Sequence, residues 1–390
     1  MGSARRTGDE VIRVAVESLA PGGDAFGRQV GGAAAGRATF VAFAAPGEVV
    51  KARLVREKRD VAFAELLEVE TPAAGRVTPR CALFGRCGGC QWQHVDLAVQ
   101  QAAKEAIVKR ALRSEAVRFF AGSLAFGYRD RAKFVAVERE RTVLGFKRRQ
   151  SHEVIDVPAC PLLSPVAARG LAWLRQHPPP PGDAYLQAGC DGFVGVKTAD
   201  ETLREREGVT EPVQHLDVAA PAEPPLRIAI GGFAQVGALA NQVLVERVLA
   251  SLQAPGGPVL ELYAGAGNFT RFLVRRGYEV ESSDADLVAL SLGRQNVPEA
   301  KWVSPDQVSP QVHFDQVLVD PPRTGLDPQG FELACRAQRR LVYVSCDPQT
   351  LGRDARRLAE AGLHLVDADA IDLMPQTFHV EVVARFDRLR

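Results

Sequence analysis

From Arg227 onward, short apolar runs alternate with helical stretches, and this alternation restricts the region to a doubly wound α/β sheet. The runs are Val259–Tyr263, Glu279–Ser283, Gln316–Asp320, Leu341–Ser345 and a terminal one near Val380–Phe386. Sheets of this kind take their ligands at the carboxyl ends of the strands. The residues that close these runs are therefore the first candidates for chemistry. Cys346 closes one of them, in Leu341-Val-Tyr-Val-Ser-Cys-Asp-Pro348. A thiolate is a strong soft nucleophile, although a strand cysteine is more often a small buried hydrophobe. Cys335 fits that second description, inside an expected helix.

The first run leads into Gly265-Ala-Gly267 and then a helix. Glycines there let the backbone turn tightly and approach a ligand. Asp284 ends the next run, at a spacing suited to a ribose hydroxyl. A dinucleotide fingerprint needs a third glycine where Asn268 and Phe269 stand. The loop therefore favours S-adenosylmethionine over a nicotinamide cofactor.

Ahead of this region the pattern differs. Residues 10–70 alternate apolar and polar positions between Gly and Pro, with strands expected at Val11–Val16, Thr39–Phe43, Glu48–Val55 and Val61–Leu67. That reads as a small barrel. Thr71–Gly75 looks like a linker. A helix is expected near Leu97–Leu112, and strands at Arg131–Glu138 and Thr142–Phe146. Pro178–Pro181 and Pro221–Pro225 read as stiff breaks.

Seven cysteines occur, three of them in Cys81-x5-Cys87-Gly-Gly-Cys90 and a fourth in Pro158-Ala-Cys160-Pro161. Four thiolates can hold zinc or an iron–sulfur cluster. The three-plus-one spacing, with proline after the lone cysteine, favours a cubane. Charge is uneven. Residues 1–160 hold 26 Lys+Arg against 18 Asp+Glu, whereas residues 161–390 hold 22 against 29. A basic front half suits a polyanion, and Tyr128–Arg149 carries eight basic residues against three acidic ones. No apolar run has the length of a membrane span, and no signal-peptide core follows Met1. A cytoplasmic protein without membrane partners is expected.

A thiol beside a methyl donor points to one chemical problem. C5 of uracil is too weak a nucleophile to take a methyl group directly. Thiolate addition at C6 makes C5 nucleophilic, and a base must then remove the C5 proton. Cys346 suits the nucleophile. Glu381, an acid inside an apolar strand, suits the base, with His379 as the weaker candidate.

These residues resemble the RNA 5-methyluridine methyltransferases, in particular the RumA-type ribosomal-RNA branch. The matching segments are Ala45-Pro-Gly-Glu-Val-Val50, the four cysteines, Gly232-Phe-Ala-Gln-Val236, Leu262–Thr270, Asp320-Pro-Pro-Arg-Thr-Gly325, Val344-Ser-Cys346 and Pro375–Glu381. The resemblance implies an OB-like TRAM barrel over 1–72. A central α+β iron–sulfur domain would follow over 73–225, with the helix near 95–113 packing on the next domain. A Rossmann-like class I methyltransferase domain would occupy 226–390. It further implies a nucleophile Cys346, a base Glu381 and substrate contacts from Asp320 and Arg323. Cofactor contacts would come from Gln235, Tyr263, Gly265, Gly267, Asn268, Asp284 and Asp320. Cys81, Cys87, Cys90 and Cys160 would hold a [4Fe–4S] cluster.

The implied activity is S-adenosylmethionine-dependent methylation of uridine in structured RNA, expected to be 23S rRNA, by a monomer. The alternatives are the T-loop uridine of tRNA and a non-catalytic RNA-binding assembly factor. Two departures stand out. Gly237 replaces the family's usual Asn, and Pro298–Lys301 shortens the segment that holds the adenine, where Ser304 and Asp306 are the candidates.

Overall fold

A computed structural model describes residues 5–6, 10–218 and 224–389. Most of the Pro221–Pro225 break lies outside the described residues. The chain forms two compact units. One comprises residues 1–107, 147–153 and 375–378; the other comprises 108–146, 154–374 and 379–390.

In the first unit, Val11–Leu19, Ala25–Gln29, Ala38–Ala42, Val49–Glu57 and Val61–Thr71 close into a five-stranded barrel. Closure comes from pairing of Val49–Glu57 with Val61–Thr71. Alternate residues point inward, as the period-two pattern requires. Ile12, Val14, Val16, Val50, Ala52, Leu54, Ala62 and Ala64 fill the interior. The strand Ala25–Gln29 is absent from the sequence reading. It is only five residues long, and Gly27 interrupts its apolar pattern. A side chain at Gly27 would start 2.3 Å from the Ala15 carbonyl oxygen of the neighbouring strand. On the outer face Phe26 opposes Phe40, and Phe40 opposes Phe63. Their ring centroids are 5.6 and 5.5 Å apart. Buried Glu48 locks the Ala45–Val50 turn, accepting from Ala45 N at 2.7 Å and from Arg76 Nη2 at 2.8 Å.

The second unit is built on an eight-stranded sheet. Its order is Lys301–Val303, Val280–Ser283, Val259–Leu262, Phe314–Val319, Ala337–Ser345, Glu381–Arg388, Leu363–Asp372 and Val117–Ala121. The first five strands run parallel, and Glu381–Arg388 is antiparallel to Ala337–Ser345. Strand Glu381–Arg388 therefore begins at the edge where the parallel strands end. The C-terminal halves of the central strands Phe314–Val319 and Ala337–Ser345 are mostly apolar, with Val317, Leu318, Leu341, Val342 and Tyr343 fully buried, as strands covered on both faces must be.

Three strands of this sheet escaped the sequence reading. Leu363–Asp372 alternates acids into its pattern, Lys301–Val303 has only three residues, and Val117–Ala121 comes from far upstream yet pairs parallel to Leu363–Asp372. The same unit holds a seven-stranded antiparallel sheet running from Val154–Asp156 to Val209–Pro212. Leu226–Ala229 joins neither sheet; it pairs with His215–Val218. Cys335 caps the C-terminal end of helix Pro328–Ala334 rather than lying within it.

Candidate active site

Three adjacent strands deliver the candidate chemistry to one edge. Asp320 follows Phe314–Val319, Cys346 follows Ala337–Ser345, and Glu381 opens Glu381–Arg388. The turn holding Cys346 is fixed from behind by Asp347. Its carboxylate accepts from Gln349 N at 2.9 Å and Thr350 N at 3.0 Å, starting helix Pro348–Glu360. The Asp320–Gly325 loop is fixed by Asp354, which is fully buried. Asp354 Oδ2 accepts from Leu326 N at 3.0 Å and from Tyr343 Oη at 2.9 Å. Nothing in the sequence singles out Asp354, because an acid on a helix reads as solvated.

Electrostatics at this edge are strongly perturbed. Burial, with help from Glu381 and Asp320 and against the charge and hydrogen bond of the Arg323 guanidinium, pushes the Cys346 thiol up to about 11. Burial raises Asp320 to about 7. Glu381 is raised well above the carboxylate range by burial and by repulsion from Asp320, against the pull of Arg323. Two neighbouring carboxyls cannot both ionise cheaply, so both are pushed toward their neutral forms. Arg323 Nη2 also lies 3.4 Å from both ring nitrogens of His379. His379 precedes the strand and is not a member of it.

A cavity of about 200 Å³ adjoins this edge. Gln235, Tyr263, Gly265, Asn268 and Asp320 line it, together with Asp130, Gln187 and Asn241. Gly265 has φ +57°, with open space where a side chain would stand. Tyr263 also holds a positive φ of 60°, a strained conformation for a residue with a side chain. Gly267 and Asp284 are not on the cavity wall. Gly267 (φ +97°) faces Trp302 and Val297, and Asp284 Oδ2 accepts from Gly265 N at 2.8 Å. Asp284 thus supports the loop from behind. Asn268 is held by a reciprocal amide pair with Asn241, 2.8 Å in each direction. Below the loop, burial lifts Glu261 to about 8, so this carboxyl is neutral at pH 7. It accepts from Thr270 Oγ1 at 2.7 Å. The open glycine cradle and convergent polar groups fit S-adenosylmethionine. Ser304 caps a short 3₁₀ turn, Asp306 lies within it, and neither is on the wall.

The cysteine loop belongs to the first unit, and Cys160 to the second. All four cysteines are partly buried. Gln93 ties the loop together: its Oε1 accepts from Cys81 N at 3.0 Å and its Nε2 donates to Cys90 Sγ at 3.2 Å. Gly89 N donates to Cys87 Sγ at 3.4 Å. Gly88 is needed because a side chain would start 2.7 Å from the Lys147 carbonyl oxygen. Donors aimed at sulfur suit thiolate ligands. Among the described residues, however, no group of three or more His, Cys, Asp or Glu is gathered tightly enough for a single metal ion.

Comparison with known proteins agrees with this geometry. A family profile described as tRNA (Uracil-5-)-methyltransferase matches residues 306–388, and the TRAM domain profile matches residues 5–67. The 23S rRNA (uracil(1939)-C(5))-methyltransferase RlmD of Aeromonas hydrophila is 32% identical over 90% of this chain and 92% of its own. That of Cronobacter sakazakii is 32% identical over 99% of each. The fold is shared with the Pyrococcus abyssi tRNA (uracil-54, C5)-methyltransferase, solved with S-adenosyl-L-homocysteine. The TM-score is 0.75 at 23% identity, over 96% of this chain and 99% of that one. The class defined by fold and site is that of S-adenosylmethionine-dependent methyltransferases. Within it, the chain belongs to the RNA (uracil-C5)-methyltransferase family. Among the described residues no helix is long and apolar enough to cross a membrane.

Proposed function

We propose that this chain methylates C5 of one uridine in 23S rRNA through a covalent adduct on Cys346. The observation that carries this reading is the meeting of Cys346, Asp320, Arg323 and Glu381 at one sheet edge beside the glycine-loop cavity. S-Adenosylmethionine supplies an electrophilic methyl group. Gln235, Tyr263, Gly265, Asn268 and Asp320 would hold it, with Gly267 and Asp284 shaping the loop.

The target base must leave its stack to reach a strand-end thiol. Cys346 releases its proton to solvent, Sγ bonds to C6, and the C5–C6 π pair shifts into an enolate, which makes C5 nucleophilic. Arg323, the cation beside the thiol, favours the thiolate. Asp320 and Arg323 position the uracil. After C5 is methylated, Glu381 takes the C5 proton, the C5–C6 double bond reforms, and the C6–Sγ bond breaks. Burial and Asp320 favour the neutral form of Glu381, so it must give up its proton before it can act as base. Labelled cofactor incubated with total RNA tests the assignment. Label confined to one uridine of 23S rRNA is expected. Label in the tRNA T-loop would favour the alternative substrate, and no transfer would favour a binding factor.

We further propose that Cys81, Cys87, Cys90 and Cys160 hold a [4Fe–4S] cluster with a structural role. Spacing and the N–H donors to sulfur support it. Protein purified without oxygen is expected to be brown and to contain iron and sulfide. One zinc with no iron would refute this.

A further inference from the structure

Gly237 is a departure whose physical cause lies in its surroundings. The residue caps helix Ala238–Ser251 with an extended backbone (φ −172°) that any amino acid can adopt. Conformation therefore does not require glycine. Space does: a side chain would start 2.1 Å from the Tyr128 carbonyl oxygen and 3.4 Å from Asp130 Oδ2. An Asn at this position cannot coexist with the segment that crosses it.

That segment supplies what the glycine lacks. Asp130 Oδ2 accepts from Ala238 N at 3.1 Å, capping the helix from just ahead of strand Arg131–Val137. Asp130 N donates to Val236 O at 2.8 Å, and Ala188 N donates to Asp130 O at 2.7 Å. Both faces of its backbone are pinned. The neighbouring arginines are turned elsewhere. Arg129 Nε donates to the Arg131 carbonyl at 2.9 Å, and Arg131 donates to Ala234 O at 2.5 Å while lying over Phe233. Asp130 makes no salt bridge among the described residues, yet it lines the cavity.

We propose that Asp130 binds the cofactor, pairing with the ammonium group of its methionyl end. This rests on the cofactor reading above. Two acids line the cavity, Asp320 and Asp130. Asp320 stands at the edge with Cys346, where the reacting sulfonium must come. Adenosine carries no positive charge. The ammonium is the cation left for Asp130, and an unpaired carboxylate held in place by its own cap hydrogen bond is suited to it.

Calorimetric titration separates the roles. S-Adenosylhomocysteine keeps the ammonium and lacks the sulfonium charge; 5′-methylthioadenosine lacks the amino-acid end altogether. Asp130→Asn retains a cap acceptor and loses the charge. It is expected to weaken S-adenosylhomocysteine binding by about tenfold while binding methylthioadenosine within about twofold of wild type. Its melting temperature should match wild type, whereas Asp130→Ala, without a cap, should melt lower and show the same selective loss. Equal S-adenosylhomocysteine affinity in wild type and Asp130→Asn would overturn the proposal, leaving Asp130 a cap alone. Equal losses for both ligands would overturn it too, as pocket distortion. If wild type binds neither ligand, the cofactor reading itself falls, and this inference with it.

Discussion

The barrel and the end of the methyltransferase sheet treat charge in opposite ways. On the barrel, apart from buried Glu48, acids and bases lie outside and several face one another. Arg13 meets Glu70 at 2.7 Å, Lys51 meets Glu68 at 2.9 Å, and Arg53 meets Glu65 at 2.5 Å. Residues 10–71 hold eight Lys+Arg and nine Asp+Glu, so the barrel carries no net positive charge. Positive charge in the front half lies in residues 72–149. At the sheet end, Asp320, Glu381 and Cys346 crowd together, Glu381 buried and the other two half-buried, with Arg323 as the opposing cation. Exposed pairs contribute little, and the shifts they show, such as Glu70 held below its usual range by Arg13, favour the charged forms. Buried like charges destabilise the fold, and their altered proton affinities mark chemistry.

The largest test of this contrast is Cys346→Ala. Methyl transfer should fall by roughly 10⁴-fold or more, since no other group replaces the bond to C6. S-Adenosylhomocysteine binding should persist. RNA containing 5-fluorouracil should trap wild type covalently, because fluorine at C5 cannot leave as a proton does. An adduct on the Cys346→Ala protein would place the nucleophile elsewhere.

Glu381→Gln keeps shape and loses basicity. Addition and methylation should proceed while elimination stalls, and turnover should fall by about 10²- to 10⁴-fold. A methylated protein–RNA adduct should accumulate on natural uracil and survive denaturing electrophoresis. Normal turnover would pass the role to His379.

The buried acids also predict how stability depends on pH. Asp320 titrates at about 7 in the folded protein and near its ordinary value of 3.8 when unfolded. Below pH 4 it is protonated in both states and costs little. As pH rises from 4 through 7 the unfolded chain ionises first, and stability is lost. Asp320→Asn should therefore leave the melting temperature unchanged near pH 4 and raise it by about 3 °C at pH 8. The same shift is not expected at the exposed, paired barrel acids Glu65 and Glu68.

Much of this was legible from sequence because it is local. Strand ends at Cys346 and Asp320, the helix Leu97–Leu112 and the glycine loop follow from period and punctuation. What stayed hidden depends on partners distant in the chain. Val117–Ala121 joins a sheet whose other strands begin about 140 residues later. Asp354 and Asn241 look like ordinary helix residues until the loops they hold are in place. Asp130 sits between two arginines in a stretch that reads as a phosphate grip, and only the crossing at Gly237 gives it another role. Gln93 carries no motif, yet it organises the Cys81–Cys90 loop.

The smallest expected effect probes the barrel by its rings and not its ions. Phe26, Phe40 and Phe63 oppose one another on three successive strands, and Phe40 touches both neighbours. Such cross-strand pairs contribute about 0.5–1 kcal/mol each. Phe40→Ala removes two of them without opening a cavity in the interior, because the ring lies on the outer face. A loss of about 1–2 kcal/mol in unfolding free energy is expected. The double variant Arg53→Ala/Glu65→Ala removes an exposed ion pair and should cost under about 0.5 kcal/mol. Denaturant titration of the full chain, followed by a probe in the barrel, can rank the two. A larger loss from the ion pair than from the ring would mean that barrel charge is not the surface ornament its exposure implies, and the contrast with the sheet end would fail there first.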